Sequence, residues 1–125
     1  MRVVSVSNGT AEVQGGPWPW SRAFQLWWKH AGTGDKLALA FSVEEPGEYE
    51  VRAAFTMAPD YGIHQLYING EKAGVPIDFY HEKVIVAKER SLGRFHLKQG
   101  ENLLQVESAG CRAEARPGNM FGLDY

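Results

Sequence analysis

"KLALAFSVEEPGEYEVRAAFTM", residues 36–57, decides the fold class. Its apolar residues alternate with polar or small ones, the period-two signature of a strand with one buried face. Leu37, Leu39, Phe41 and Val43 fall on one face, and Lys36, Ala38, Ala40 and Ser42 on the other. Pro46-Gly47 then suits the two central positions of a type II turn. Beyond it Tyr49, Val51, Ala53, Phe55 and Met57 point inward, against Glu48, Glu50, Arg52 and Thr56 outward. The pattern predicts two strands joined as a hairpin, with one face in solvent.

The same grammar runs through the rest of the chain, and helical periodicity is hard to find. "VVSVSNGTAEVQ" reads as a hairpin on an Asn8-Gly9 type I′ turn, with Val4 opposite Val13 and Val6 opposite Ala11. Asn8-Gly9-Thr10 is also a glycosylation sequon, but the turn reading requires no special compartment. "FQLWWK", "IHQLYING" with a second Asn-Gly, and a returning "KAGVPIDFY" follow as strands. "RSLGRFHL" and "NLLQVESAG" flank the turn "KQGE" as a further hairpin, and "MFGLDY" is a closing strand. About eight to ten short strands with turns every 8–12 residues predict an all-β fold, an antiparallel β-sandwich of jelly-roll type.

Composition narrows the function classes. The chain has 125 residues, the size of a single domain, and residues 1–125 are read as one module. Thirteen Lys and Arg against fifteen Asp and Glu give a formal net charge of −2, which argues against nucleic acid and against an anionic membrane as partner. No segment approaches the roughly 20 apolar residues that span a bilayer. The N-terminus lacks the pattern of a signal peptide. The single cysteine, Cys111, permits no intrachain disulfide and leaves the compartment open. The end in mid-pattern at "MFGLDY" suggests a module excised from a longer protein.

All four tryptophans lie in "PWPWSRAFQLWW", residues 17–28. Strand alternation puts Leu26 and Trp28 on one face and Gln25, Trp27 and Lys29 on the other, making Trp28 the core candidate. Pro17 and Pro19 lack ladder donors, so Trp18 and Trp20 belong to a stiff loop or sheet edge. Two uses fit them. They plug an open end of the sandwich, as large aromatics mostly bury, or they form a stacking platform for the apolar faces of sugar rings. A proline-stiffened ring suits the second use, because binding then orders few rotors.

Signs of catalysis are missing. No HExxH, zinc spacing, GxSxG elbow, phosphate loop or EF-hand loop occurs. His30, His64, His81 and His96 are scattered, and His81-Glu82 reads as a solvated loop pair. Cys111 beside Arg112 reads as an inert thiol. Paired glycosidase carboxylates have no fixed spacing in sequence, so a hydrolase stays open as a lesser reading. No cofactor is expected. A structural calcium would be unremarkable in such a sandwich, although no cluster of Asp and Asn marks a site for one.

Residues 20–61 and onward to "GVPIDFY", with "SLGRFHLKQGENLLQVESAG" and the closing "FGLDY", resemble an accessory β-sandwich domain of bacterial polysaccharide-degrading proteins, including those beside catalytic units of glycoside hydrolase family 172. Its more specific pieces are Asp60-Tyr61-Gly62, "LGRFHL…GEN" and Phe121-Gly122-Leu123-Asp124-Tyr125; "CRAEARPGN" departs from its usual shorter connection. The resemblance implies a galactose-binding-like jelly roll, a non-catalytic role and, for a secreted host, an extracellular or periplasmic setting. The expectation that follows is a carbohydrate-binding accessory module, with Trp18, Trp20 and Trp27 for stacking and Asp60, Tyr61, Tyr80 and His81 for loop contacts. The rival is an assembly domain whose Trp-rich patch packs on a neighbouring catalytic domain or a second copy.

Overall fold

The computed structural model describes residues 2–15, 24–29, 32–110 and 120–123. Thirteen strands are found among them: β1 (Arg2–Val6), β2 (Thr10–Gly15), β3 (Phe24–Lys29), β4 (Lys36–Val43), β5 (Gly47–Ala53), β6 (Phe55–Met57), β7 (Ile63–Ile68), β8 (Glu71–Lys72), β9 (Ile77–Asp78), β10 (Ile85–Val86), β11 (Arg90–Leu97), β12 (Gly100–Gly110) and β13 (Phe121–Leu123). One sheet has the order β1-β4-β12-β7-β8, with β9 also against β7. A second has the order β10-β6-β13-β3-β2, and β11 and β5 pair as a separate two-stranded sheet. Only Ala54 separates β5 from β6, and just beyond β10 the Ala87 amide donates to the Phe55 carbonyl at 3.0 Å. All these pairings are antiparallel, so the expected all-β sandwich stands.

The strands lie where the alternation put them, but three expected hairpins are corrected. β1 pairs with β4 and β2 with β3, so Val6 meets Leu37 and Ala11 meets Trp28 rather than each other. Val4, expected opposite Val13, falls at a register shift between Val3 and Ser5 and is 44% exposed. β4 and β5 enter different sheets, as do β11 and β12. Each of these turns carries the chain from one sheet to another. Only the Asn69-Gly70 turn closes a hairpin as expected, between β7 and β8.

Backbone angles show the difference. Asn69 and Gly70 have φ of 50° and 84°, the two positive values that a type I′ turn demands. At Asn8-Gly9 only the glycine is positive. There the Asn8 side-chain Nδ2 donates to Asp35 Oδ2 at 3.1 Å, and the Asn8 backbone carbonyl accepts the Trp28 indole N–H at 3.0 Å. Tertiary partners thus hold the first turn open across the two sheets.

The core lies between the sheets. Leu37, Leu39, Leu66, Ile68 and Val106 come from one side, Trp28, Phe55, Phe121 and Leu123 from the other, and all are buried. Phe55, Phe79 and Phe121 form a ring triad with centroids 5.2–5.6 Å apart. Glu48, Glu50 and Arg52 face solvent as expected, and Arg52 pairs with Glu50 and Glu89. Thr56 does not: it is fully buried, flanked in the ladder by Gly122 and Val86.

Candidate functional site

The loops at one end of the sandwich are tied into a frame by their own backbone. Residues 58–62, which lead into β7, run beside residues 79–81, which follow β9. The Ala58 amide donates to the Phe79 carbonyl at 3.1 Å, the Phe79 amide to Gly62 at 3.0 Å, and the His81 amide to Ala58 at 3.2 Å. Met120, at the entry to β13, closes the frame. Its amide donates to the Asp60 carbonyl at 3.2 Å, and its carbonyl accepts the Gly62 amide at 3.0 Å. Loops bonded in this way hold their side chains without a large ordering cost on binding.

His64 anchors the frame from below. It begins the inward row of β7, is fully buried, and its Nε2 donates to the Met120 carbonyl at 2.9 Å. Phe121, Phe79 and Trp28 surround the ring at 5.5, 5.7 and 5.9 Å. Burial among these apolar rings lowers its pKa to about 4, only partly opposed by the Met120 bond, so the imidazole is neutral at physiological pH.

Most of the expected site residues in the described chain gather here. Asp60 is half-buried on one loop; Tyr80 and His81 are half-buried on the other. The Tyr80 amide donates to Asp78 Oδ1 at 2.9 Å, and His81 Nδ1 accepts the Lys83 amide at 3.1 Å, which fixes the second loop. Tyr61 is the exception. It is 4% exposed and packs in the core cluster, so it has no ring face to offer a ligand. Its backbone position, next to Asp60, is what the loop uses.

Trp28 is core, as the alternation predicts. Trp27 lies on the opposite face of β3, half-buried, in a ladder row with Gly122 and Thr56. Its indole N–H donates to the Met120 thioether sulfur at 3.2 Å, and the Lys29 ammonium sits 4.6 Å from its ring centroid. Met120 therefore links Trp27 to the loop frame. Sequence reasoning missed Met120, because three of its four bonds use backbone atoms that every residue possesses. Trp18 and Trp20, with Cys111, lie outside the described residues. Among the described residues no three His, Cys, Asp or Glu side chains stand together as metal ligands.

No protein-family model matches the chain, and no curated protein matches it. Solved structures do. A Paenibacillus xanthan lyase matches over 98% of this chain with 22% identity and a TM-score of 0.84; the match covers 12% of that much longer chain. A family 35 carbohydrate-binding module from Clostridium thermocellum matches over 95% of this chain and 89% of its own, with 15% identity and a TM-score of 0.57. Another family 35 module, from an environmental isolate, matches over 98% of this chain and 82% of its own, with 12% identity and a TM-score of 0.53. These likenesses do not show the association with glycoside hydrolase family 172. At such identities the likeness establishes architecture, and on that ground the chain has the β-sandwich fold of these modules.

Proposed function

We propose that the chain is a non-catalytic carbohydrate-binding module of a larger glycan-active protein, and that it binds sugar at the loop end of the sandwich. The carrying observation is the frame closed by Met120, which presents Asp60, Tyr80 and His81 on two mutually bonded loops. Such a surface combines a carboxylate acceptor, an imidazole and a phenol, the mixed groups that meet sugar hydroxyls, with aromatic area for the ring. Two likenesses support the reading. Structures named as carbohydrate-binding modules are covered nearly whole by this chain, and the xanthan lyase carries the same fold as a small part of its length. The expected host is thus a polysaccharide-active enzyme, of the family 172 type or another, and the module's task is to hold polymer near its catalytic unit.

Isothermal titration of the intact chain against soluble neutral and acidic polysaccharides tests this. Saturable binding is expected for at least one polymer, weakened about tenfold by Tyr80→Ala with the thermal melt unchanged. Silence across the whole panel would overturn the proposal. A stable dimer in sedimentation, with no glycan bound, would replace it with the assembly role.

A further inference from the structure

A second recess lies on the outer face of the sheet β1-β4-β12-β7, away from the loop frame. Ser5, Ala38, Gln105 and Tyr67 stand in one ladder row across four strands. Lys36 and Glu107 are paired in the next row. Between them is a cleft of about 310 Å³, near the lower bound of ligand-binding pockets. Tyr67 is four residues along β7 from Ile63, about 13 Å of strand from the start of the loop frame.

The polar groups of the cleft are arranged rather than scattered. Glu107 stands opposite Lys36, yet its Oε1 accepts the Tyr67 hydroxyl at 3.0 Å, and the bond with the carboxylate raises the Tyr67 pKa. This pins the phenol ring as one wall. Gln105 Oε1 accepts the Gly70 amide at 2.7 Å, which fixes the side-chain amide and leaves the Nε2 hydrogens to donate. Among the described residues Lys36 makes no ion pair, so its ammonium is a donor to whatever enters. Ala38 forms a low floor that lets a flat ring approach the sheet.

We infer that this cleft is a second carbohydrate site, taking one neutral sugar ring of a polysaccharide against Tyr67. A hydroxyl both donates and accepts, and neighbouring hydroxyls on a sugar match an amide and ammonium on one side with a carboxylate on the other. Other ligand classes fit less well. Glu107 repels an anion, Lys36 repels a cation, and the polar lining penalises an apolar guest. The inference rests on the carbohydrate reading above but not on the loop site. Two sites on one module would hold a polymer with greater avidity than either site alone.

The test uses the intact chain against soluble galactan, mannan and glucan, in affinity electrophoresis and in titration, with Tyr67→Ala, Tyr67→Phe, Tyr80→Ala and the Tyr67→Ala/Tyr80→Ala pair. Circular dichroism melts confirm that each variant folds. Tyr67→Ala is expected to weaken polymer binding about five- to tenfold, Tyr67→Phe less, and the double variant more than either single one. Wild-type affinity in Tyr67→Ala, together with lost binding in Tyr80→Ala, overturns the second site and leaves the loop site standing. No binding of any polymer by the unaltered chain overturns both.

Discussion

At the scale of the residue, His64 makes the strongest physical claim. Its imidazole is sealed among Trp28, Phe79 and Phe121, and its pKa drops from 6.5 to about 4. A depressed histidine pKa means that the folded state binds its proton less readily than the unfolded chain does. Stability from this group is therefore complete above about pH 6.5 and falls as the pH drops toward 4. The full loss is roughly 3 kcal/mol. Urea unfolding between pH 7.5 and 4 is expected to show it, and His64→Gln, which retains a donor for Met120 but does not titrate, should remove most of the slope. An equal slope in that variant would assign the acid sensitivity elsewhere. Among the described residues the Nδ1 atom has no partner, nor does the hydroxyl of Ser108, its register partner on β12. Sequence reading left His64 as one of four scattered histidines. A ring's neighbours across two sheets leave no trace in its own flanking residues.

At the scale of the element, Asn102 joins two turns. It opens the inward row of β12 and is fully buried, yet each end of its amide is bonded. Its Oδ1 accepts the Lys98 amide at 3.1 Å and Asn69 Nδ2 at 3.0 Å, and its Nδ2 donates to the carbonyls of Lys98 at 3.0 Å and Gly100 at 3.2 Å. Asn69 in turn accepts the Leu103 amide at 2.8 Å. The β7–β8 turn and the β11–β12 crossing are thus one network. Asn102→Ala leaves several of these groups unpaired in the interior, and is expected to cost about 2–4 kcal/mol by chemical denaturation. A cost below about 0.5 kcal/mol, the range of ordinary surface changes, would contradict the network. Strand positions such as 36–43 and 90–97 were legible because alternation depends only on which face is buried. Strand partners were not legible, because a turn that closes a hairpin and one that crosses between sheets use the same Gly, Asn and Pro chemistry. Asn8-Gly9 and Asn69-Gly70 share a dipeptide and differ in fate. The deciding contacts, from Asp35 and Trp28 in one case, come from distant chain.

At the scale of the whole molecule, those crossings set how the chain must fold. Phe121 pairs with Trp28, Val106 with Leu37 and Phe95 with Tyr49, so each sheet is completed by segments far apart in sequence. Local pairings exist as well, β2 with β3 over six residues and β7 with β8 over two, but the sheets they enter are closed by strands distant in sequence. The candidate site inherits the same dependence. Asp60, Tyr80 and His81 are recognisable one by one as loop residues, whereas the frame that presents them needs Met120 from the far end of the chain. Closing such long loops costs entropy before the non-local contacts offset it, which places refolding in the range of milliseconds to seconds rather than microseconds. Stopped-flow dilution from urea, followed by tryptophan emission, measures this directly, since Trp28 becomes sealed only when β3 and β13 meet over the first sheet. If the full emission change were complete within microseconds, Trp28 would be reporting a local cluster, and the interdependence of the two sheets argued from their pairings would be wrong.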